Sequence, residues 1–174
     1  DRDPVDRSAV ILGTEAALHA DLEADAVVFL DFDQELLAPR YRAAEQALGL
    51  LVRAARLIGG RRPGCPIVVQ TRTPEHRVVR AAVAADPGRM VEEERAIRTA
   101  MGFPPAGALA EVGGPGAAAF LAPLAGRAGV TVLGPRADGR HLVRTDDSEA
   151  LAEALASLER PKERVRVAVD PPRA

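Results

Sequence analysis

Apolar and polar positions along the chain fall into short blocks, and each block has a recognisable end. Residues 9–14, "AVILGT", run apolar into a turn, the pattern of a buried strand. Residues 15–22 fit a short helix, and residues 26–32, "AVVFLDF", a second buried strand. Between 40 and 58 apolar residues recur at helical spacing (Ala43, Ala47, Leu50, Leu51, Ala54, Leu57, Ile58), and Gly59-Gly60 closes that helix. A third strand is predicted at 66–71. The strand at 9–14, the helix at 15–22 and the strand at 26–32 together predict a parallel βαβ unit. Thr73-Pro74-Glu75 marks a helix start, with Thr73 as cap and proline at the first helical position. Asp86-Pro87 marks another, whose helix runs to about Met101 and stops at Gly102-Phe103-Pro104-Pro105.

Beyond Pro105 the rhythm changes. Strands are predicted at 107–113, 130–135, 140–145 and 164–171, and helices at 116–126 and 148–159, the latter capped by Ser148. Asp138-Gly139 is a hairpin signal between the middle strands. The order is β-α-β-β-α-β, the ferredoxin-like sequence of elements. The fold class expected is α/β, with a parallel-sheet part over 1–104 and a ferredoxin-like domain over 105–174.

Composition narrows the functions available. The chain has 174 residues, enough for one ordinary domain or two small ones. Aromatics are 3% and Trp is absent, so the core must be Ala, Val and Leu, and stacking platforms for single-stranded bases are scarce. Cys65 stands alone, which leaves no internal disulfide and no cysteine-based zinc site. It reads as a small half-buried apolar residue, compatible with a cytoplasmic protein. No apolar run approaches the roughly 18 residues of a membrane span, so no membrane partner is expected. The opening Asp1-Arg2-Asp3-Pro4 has neither region of a signal peptide and reads as an internal cut in a longer protein. Net charge is −2, against a globally basic nucleic-acid binder, but its distribution is uneven. Residues 1–35 hold ten acids against two arginines, and residues 39–64 hold six arginines against one acid. A local basic face can bind phosphate whatever the total; a solvated helix face explains the same charges.

Candidate chemistry is sparse. A P-loop needs lysine before Ser or Thr, and the only lysine, Lys162, precedes Glu163. Gly113-Gly114-Pro115-Gly116 precedes a helix and could hold an anion on its amides, or simply turn the chain. His19, His76 and His141 are isolated and read as surface or cap residues. Asp31 and Asp33 close the second strand. On a strand they share one face, about 7 Å apart, where they could hold a hydrated magnesium ion, act as an acid–base pair, or cap exposed amides.

The chain resembles the PriA family of primosomal replication-restart proteins along nearly its whole length. "ILGTEAALH" (11–19) is similar to the family's helicase motif V, and "LDFDQELLAPRYRAAE" (30–45) to its Asp-x-Asp, Leu, Pro-x-[FY]-Arg-[AS]-x-Glu stretch. "VVQTRTPEH" (68–76), "GFPP" (102–105), "VLGP" (132–135) and "VAVDP" (167–171) match further signatures in order. The resemblance implies the end of a RecA-like second helicase lobe, then a C-terminal domain that helps bind branched DNA. ATP and zinc belong to the full-length family, with the zinc cysteines and first motor lobe upstream; no cofactor is implied within this chain.

The departures carry as much weight. Gly13 and Thr14 keep motif V, but Glu15 replaces Gln and His19-Ala20 replace Lys-Gly. Motif VI aligns with Arg53–Gly60, and its two arginine positions have become Leu57 and Gly60. Loss of an arginine finger costs about 10³–10⁵ in rate. This combination resembles the actinobacterial PriA-like proteins with degenerate helicase motifs, in which Asp31 and Asp33 would be remnants without catalytic partners. The resemblance implies a nucleoid-associated protein without working ATPase that binds forked or single-stranded DNA and helps reload the replicative helicase. Phosphate contacts would fall to Arg40, Arg42, Arg53, Arg56, Arg61 and Arg62. Two alternatives stand: an active helicase in which Arg53 or Arg56 replaces the lost finger, and a scaffold for single-strand-binding protein, a helicase loader or other primosome components.

Overall fold

A computed structural model describes residues 10–59 and 63–171. Its contacts divide the chain into two compact units. One comprises the chain up to Pro39 with Ala43–Met90, and the other comprises Arg40–Arg42 with the chain from Val91 onward. Residues 91–104, expected to continue the first part, thus belong with the second.

In the first unit, strands β1 (Val27–Phe29) and β2 (Ile67–Val69) pair in parallel, with Val27, Val28 and Phe29 opposite Ile67, Val68 and Val69. Helices α1 (Asp33–Leu36) and α2 (Ala43–Leu57) make the crossover, so the βαβ unit runs over 27–69 and not over 9–32, where the spacing predicts it. Helix α2 buries Ala43, Ala44, Ala47, Leu50, Leu51 and Ala54, one apolar stripe at helical spacing. That stripe meets Phe32, Leu36, Val78, Ala81 and Met90 in a single core. Gly59 ends the helix in a left-handed conformation, φ 72°.

Several expected elements are shorter or absent. The described part of the 9–14 strand, residues 10–14, forms no strand, and Leu12 is 88% exposed. Among the described residues this sheet has two strands, and the segment pairs with neither. Residues 15–22 give only a 3-10 helix, Glu15–His19. The 26–32 strand ends at Phe29, because Asp31 turns left-handed (φ 52°) and Asp33 already begins α1. The two aspartates therefore do not share a strand face. Val28 and Val68 are 56% and 47% exposed, so β1 and β2 are covered on one face rather than two. Helix α3 (Arg77–Val83) begins four residues after Thr73: the true cap is His76, whose Nδ1 accepts from the Val78 amide at 3.3 Å. A 3-10 helix, Pro87–Met90, follows.

The second unit starts with α4 (Val91–Met101), where Glu94 and Arg98 form a buried pair, Nε to Oε1 3.0 Å. A four-stranded antiparallel sheet then has the order β4-β5-β3-β6, from β3 (Ala108–Gly113), β4 (Val130–Leu133), β5 (His141–Thr145) and β6 (Arg166–Val169). Helix α5 (Ala117–Leu121) joins β3 to β4, and α6 (Ser148–Ala156) joins β5 to β6. The first of these was expected to run to 126. Pro123 lacks an amide proton, and the α-helix gives way to a 3-10 turn, Ala122–Leu124. Asp147, not Ser148, caps α6, its Oδ1 accepting from the Ala150 amide at 2.8 Å. Ala108, Ala110, Val112 and Val143 face Leu121, Leu124 and Leu151 in one core. No helix among the described residues is long and apolar enough to cross a membrane.

Candidate functional site

The ends of β1 and β2 lie side by side because the strands are parallel and in register. The Phe32 amide donates to Gln70 O at 3.0 Å and the Gln70 amide to Phe29 O at 2.9 Å, so the pairing continues past both strands. This brings Asp33 against the chain that leaves β2. Its carboxylate accepts from the hydroxyls of Thr71 and Thr73 and from the Arg72 amide, the last at 3.0 Å to Oδ2. The Thr71 hydroxyl above all, then the Arg72 amide, hold the Asp33 carboxyl below the usual carboxylate range; partial burial opposes them and is outweighed. Asp31 takes no part in these bonds and accepts from Gln34 Nε2 at 2.7 Å. A carboxylate saturated with donors is a poor base. Asp33 instead pins two loops together, the capping role that the sequence left open. Among the described residues no group of three or more His, Cys, Asp or Glu side chains is placed to hold a metal ion.

A second polar cluster belongs to the second unit. Tyr41 gives its hydroxyl proton to Asp170, and Arg42 donates through Nε to the Tyr41 oxygen at 2.7 Å and through Nη2 to the second Asp170 oxygen. The Tyr41 ring packs on Phe103 with centroids 5.3 Å apart, and the Arg98 guanidinium lies 5.6 Å from its centroid. Asp170 sits just past β6 at φ 47°, and its amide donates to Leu109 O at 2.8 Å. Burial pushes the Asp170 carboxyl up, but the hydrogen bonds from Tyr41 and Arg42 and the charges of Arg42 and Arg98 outweigh it, and it ends below its ordinary value. Burial, then the bond to Asp170, raises the Tyr41 phenol. For Arg42 burial works against the charge, and the bonds to Tyr41 and Asp170 overcome it and raise the group further.

The other sequence candidates are scattered. Thr14 caps the first 3-10 helix, with Oγ1 accepting from the Ala16 amide at 3.4 Å, and Gly13 precedes it on the exposed segment. Arg53 and Arg56 lie on α2, Arg56 exposed and Arg53 half-buried. Arg40 and Arg42 group with the second unit. Arg61 and Arg62 lie outside the described residues, as does Gly60 of the motif VI stretch. Leu57 is half-buried in the last turn of α2. His19 is exposed, but His141 is buried (8% exposed), because β5 alternates inward at 141, 143 and 145. The glycine run after β3 is a turn. Gly114 has φ 108°, a Cβ there would stand 2.5 Å from Arg164 O, and the Gly116 amide donates to that same oxygen at 3.3 Å.

Two sets of contacts were not foreseen. The Asp33–Thr71–Thr73 junction has a readable signal, since a parallel βαβ unit sets the carboxyl ends of its strands together. The Tyr41–Asp170 bond joins positions 129 apart and has no local signature. No family model fits the chain, and no curated protein is significantly similar to it.

Proposed function

We propose that the chain is the C-terminal part of a PriA-like replication-restart protein that binds branched DNA without turning over ATP. The observation that carries this reading is a pairing in space. Asp33 of the Asp-x-Asp stretch meets Thr71 of the Gln-Thr signature, and Tyr41 and Arg42 meet Asp170 of the closing "VAVDP". Segments that carry the resemblance thus depend on one another physically, as expected of a shared framework.

Two features support the architecture. The strand order β4-β5-β3-β6 with two crossover helices agrees with a ferredoxin-like domain. The parallel pair β1-β2 leaves Val28 and Val68 uncovered, and parallel sheets are ordinarily covered on both faces, which suits one part of a larger RecA-like lobe. Leu57 offers a γ-phosphate no polar atom, and the Asp33 carboxylate is committed to the Thr71 loop, so neither supports hydrolysis. Arg53 and Arg56 would then meet DNA phosphate rather than nucleotide.

Fluorescence anisotropy on forked, single-stranded and duplex DNA of equal length, at one low salt concentration, tests this. The fork should bind tightest. Equal affinity for all three would remove fork recognition from this chain, and absence of binding would favour the scaffold role.

A further inference from the structure

A cavity of about 480 Å³ lies wholly in the second unit, between the end of α4, the loop to β3, and strands β4 and β5. Arg144 and Asp146 line it from the end of β5, with Thr131 opposite Arg144 on the neighbouring strand. Arg144 is half-buried and anchored at one point. Its Nη1 donates to Met101 O at 2.7 Å, and its Cδ lies 3.7 Å from where a Cβ at Gly102 would stand. That hydrogen bond is its one polar contact among the described residues. A guanidinium has five donors in a planar fork, so the Nε and Nη2 donors of Arg144 are left for a ligand. Asp146 makes no hydrogen bond or ion pair among the described residues, although it shares the cavity with that guanidinium. Base and acid thus stand too far apart to satisfy each other. Gly102, Gly107 and Gly129 add bare backbone to the wall. Gly107 is held to that form, since a Cβ there would stand 2.5 Å from Gly102 O and 2.9 Å from Thr145 O.

What fits is a flat ligand that offers acceptors to Arg144 and donors to Asp146 on one rigid frame. Guanine does so. Its O6 and N7 accept from an arginine fork, and its N1–H and N2 amino group, on the adjoining edge, donate to the two oxygens of a carboxylate. Adenine has a donor where guanine has O6, and the pyrimidines lack N7. The cavity is of the size of small-molecule sites, about 300–1,000 Å³. We propose that it binds an unpaired guanine base, with Arg144 on O6 and N7 and Asp146 on N1–H and the N2 amino group. The base is unpaired because those donors form its Watson–Crick edge. The site stands independently of the fork-binding reading.

The test is an NMR titration with the monophosphates of guanosine, adenosine, cytidine and thymidine at constant ionic strength, read at the Arg144 Nε–Hε resonance, on the wild type and Asp146→Asn. Asp146 is exposed, so the variant should fold, which circular dichroism checks. Saturable binding of guanosine monophosphate, about tenfold or more tighter than the other three, is expected. Asp146→Asn should lose about tenfold for guanosine monophosphate and gain about as much for xanthosine monophosphate, whose C2 oxygen accepts from the new amide. A merely structural role for Asp146 would not exchange one base for the other. Equal affinity for all four nucleotides, guanosine monophosphate binding unchanged in the variant, or shifts raised by free glycine but not by guanosine monophosphate overturn the site. A short thymidine strand carrying one guanine then separates the sources. Binding tighter than the mononucleotide identifies a single strand as ligand, and weaker binding identifies a free guanine nucleotide. Guanine binding by a chain that ignores forked DNA would sink the fork reading and leave this site standing.

Discussion

Asp33 and Asp170 are the residues whose chemistry the fold changes most. Both carboxyls are held below their ordinary range, so the folded state favours their charged forms. Stability from such a group is complete above the unfolded-state pKa and is lost as pH falls through the lower folded value. The protein should therefore weaken progressively below about pH 4. Asp33→Asn should be less stable than the wild type at pH 7 and should lose less on acidification, measured as urea midpoints from pH 7 to pH 2.5. A parallel fall in both proteins would contradict the assigned role of Asp33. Tyr41→Phe isolates the other cluster. It keeps the ring on Phe103 and removes the hydroxyl bonded to Asp170 and Arg42. The expected loss is about 1.5–3 kcal/mol by urea unfolding, the range for hydrogen bonds involving charged groups.

Among the elements, what the pattern revealed and what it hid divide along physical lines. Helix α2 was legible because its apolar stripe and closing Gly59 are local, and β3, β5 and α6 because their periodicity is clean. The 10–14 segment was not: its apolar run reads as a buried strand, but pairing needs a neighbour that composition does not report. Asp31 and Asp33 read as one strand face, and a single left-handed residue at Asp31 separates them. Caps shifted by one residue at Asp147, next to Ser148, and by three at His76, after Thr73. The glycine turn after β3 carries a testable constraint. Gly114→Ala would place a Cβ 2.5 Å from the Arg164 carbonyl at φ 108°. A loss of about 2 kcal/mol or more is expected from strain at such a position. A neutral result in thermal unfolding would show that the turn can open without disturbing β3 and β6.

At the scale of the whole molecule, two units combine a modest net charge with a local excess of arginine, and two aspartates of the resembling segments hold chain segments together. Asp33 ties the end of β1 to the chain after β2, and Asp170 ties the end of β6 to Tyr41 and Arg42. Under the proposed reading the phosphate contacts fall to arginine: Arg53 and Arg56 on α2, with Arg40 and Arg42 in the second unit, Arg42 already shared with Asp170. Contacts of this kind release counterions, and each phosphate neutralised steepens the salt dependence by about one in log–log slope. The most direct measurement is the affinity of the chain for forked DNA across a salt series, in the wild type and in Arg53→Gln with Arg56→Gln. Affinity that falls steeply with salt, with a slope shallower by about two in the double variant, is the predicted result. An affinity indifferent to salt, or a slope that the double variant leaves unchanged, would contradict phosphate recognition through α2.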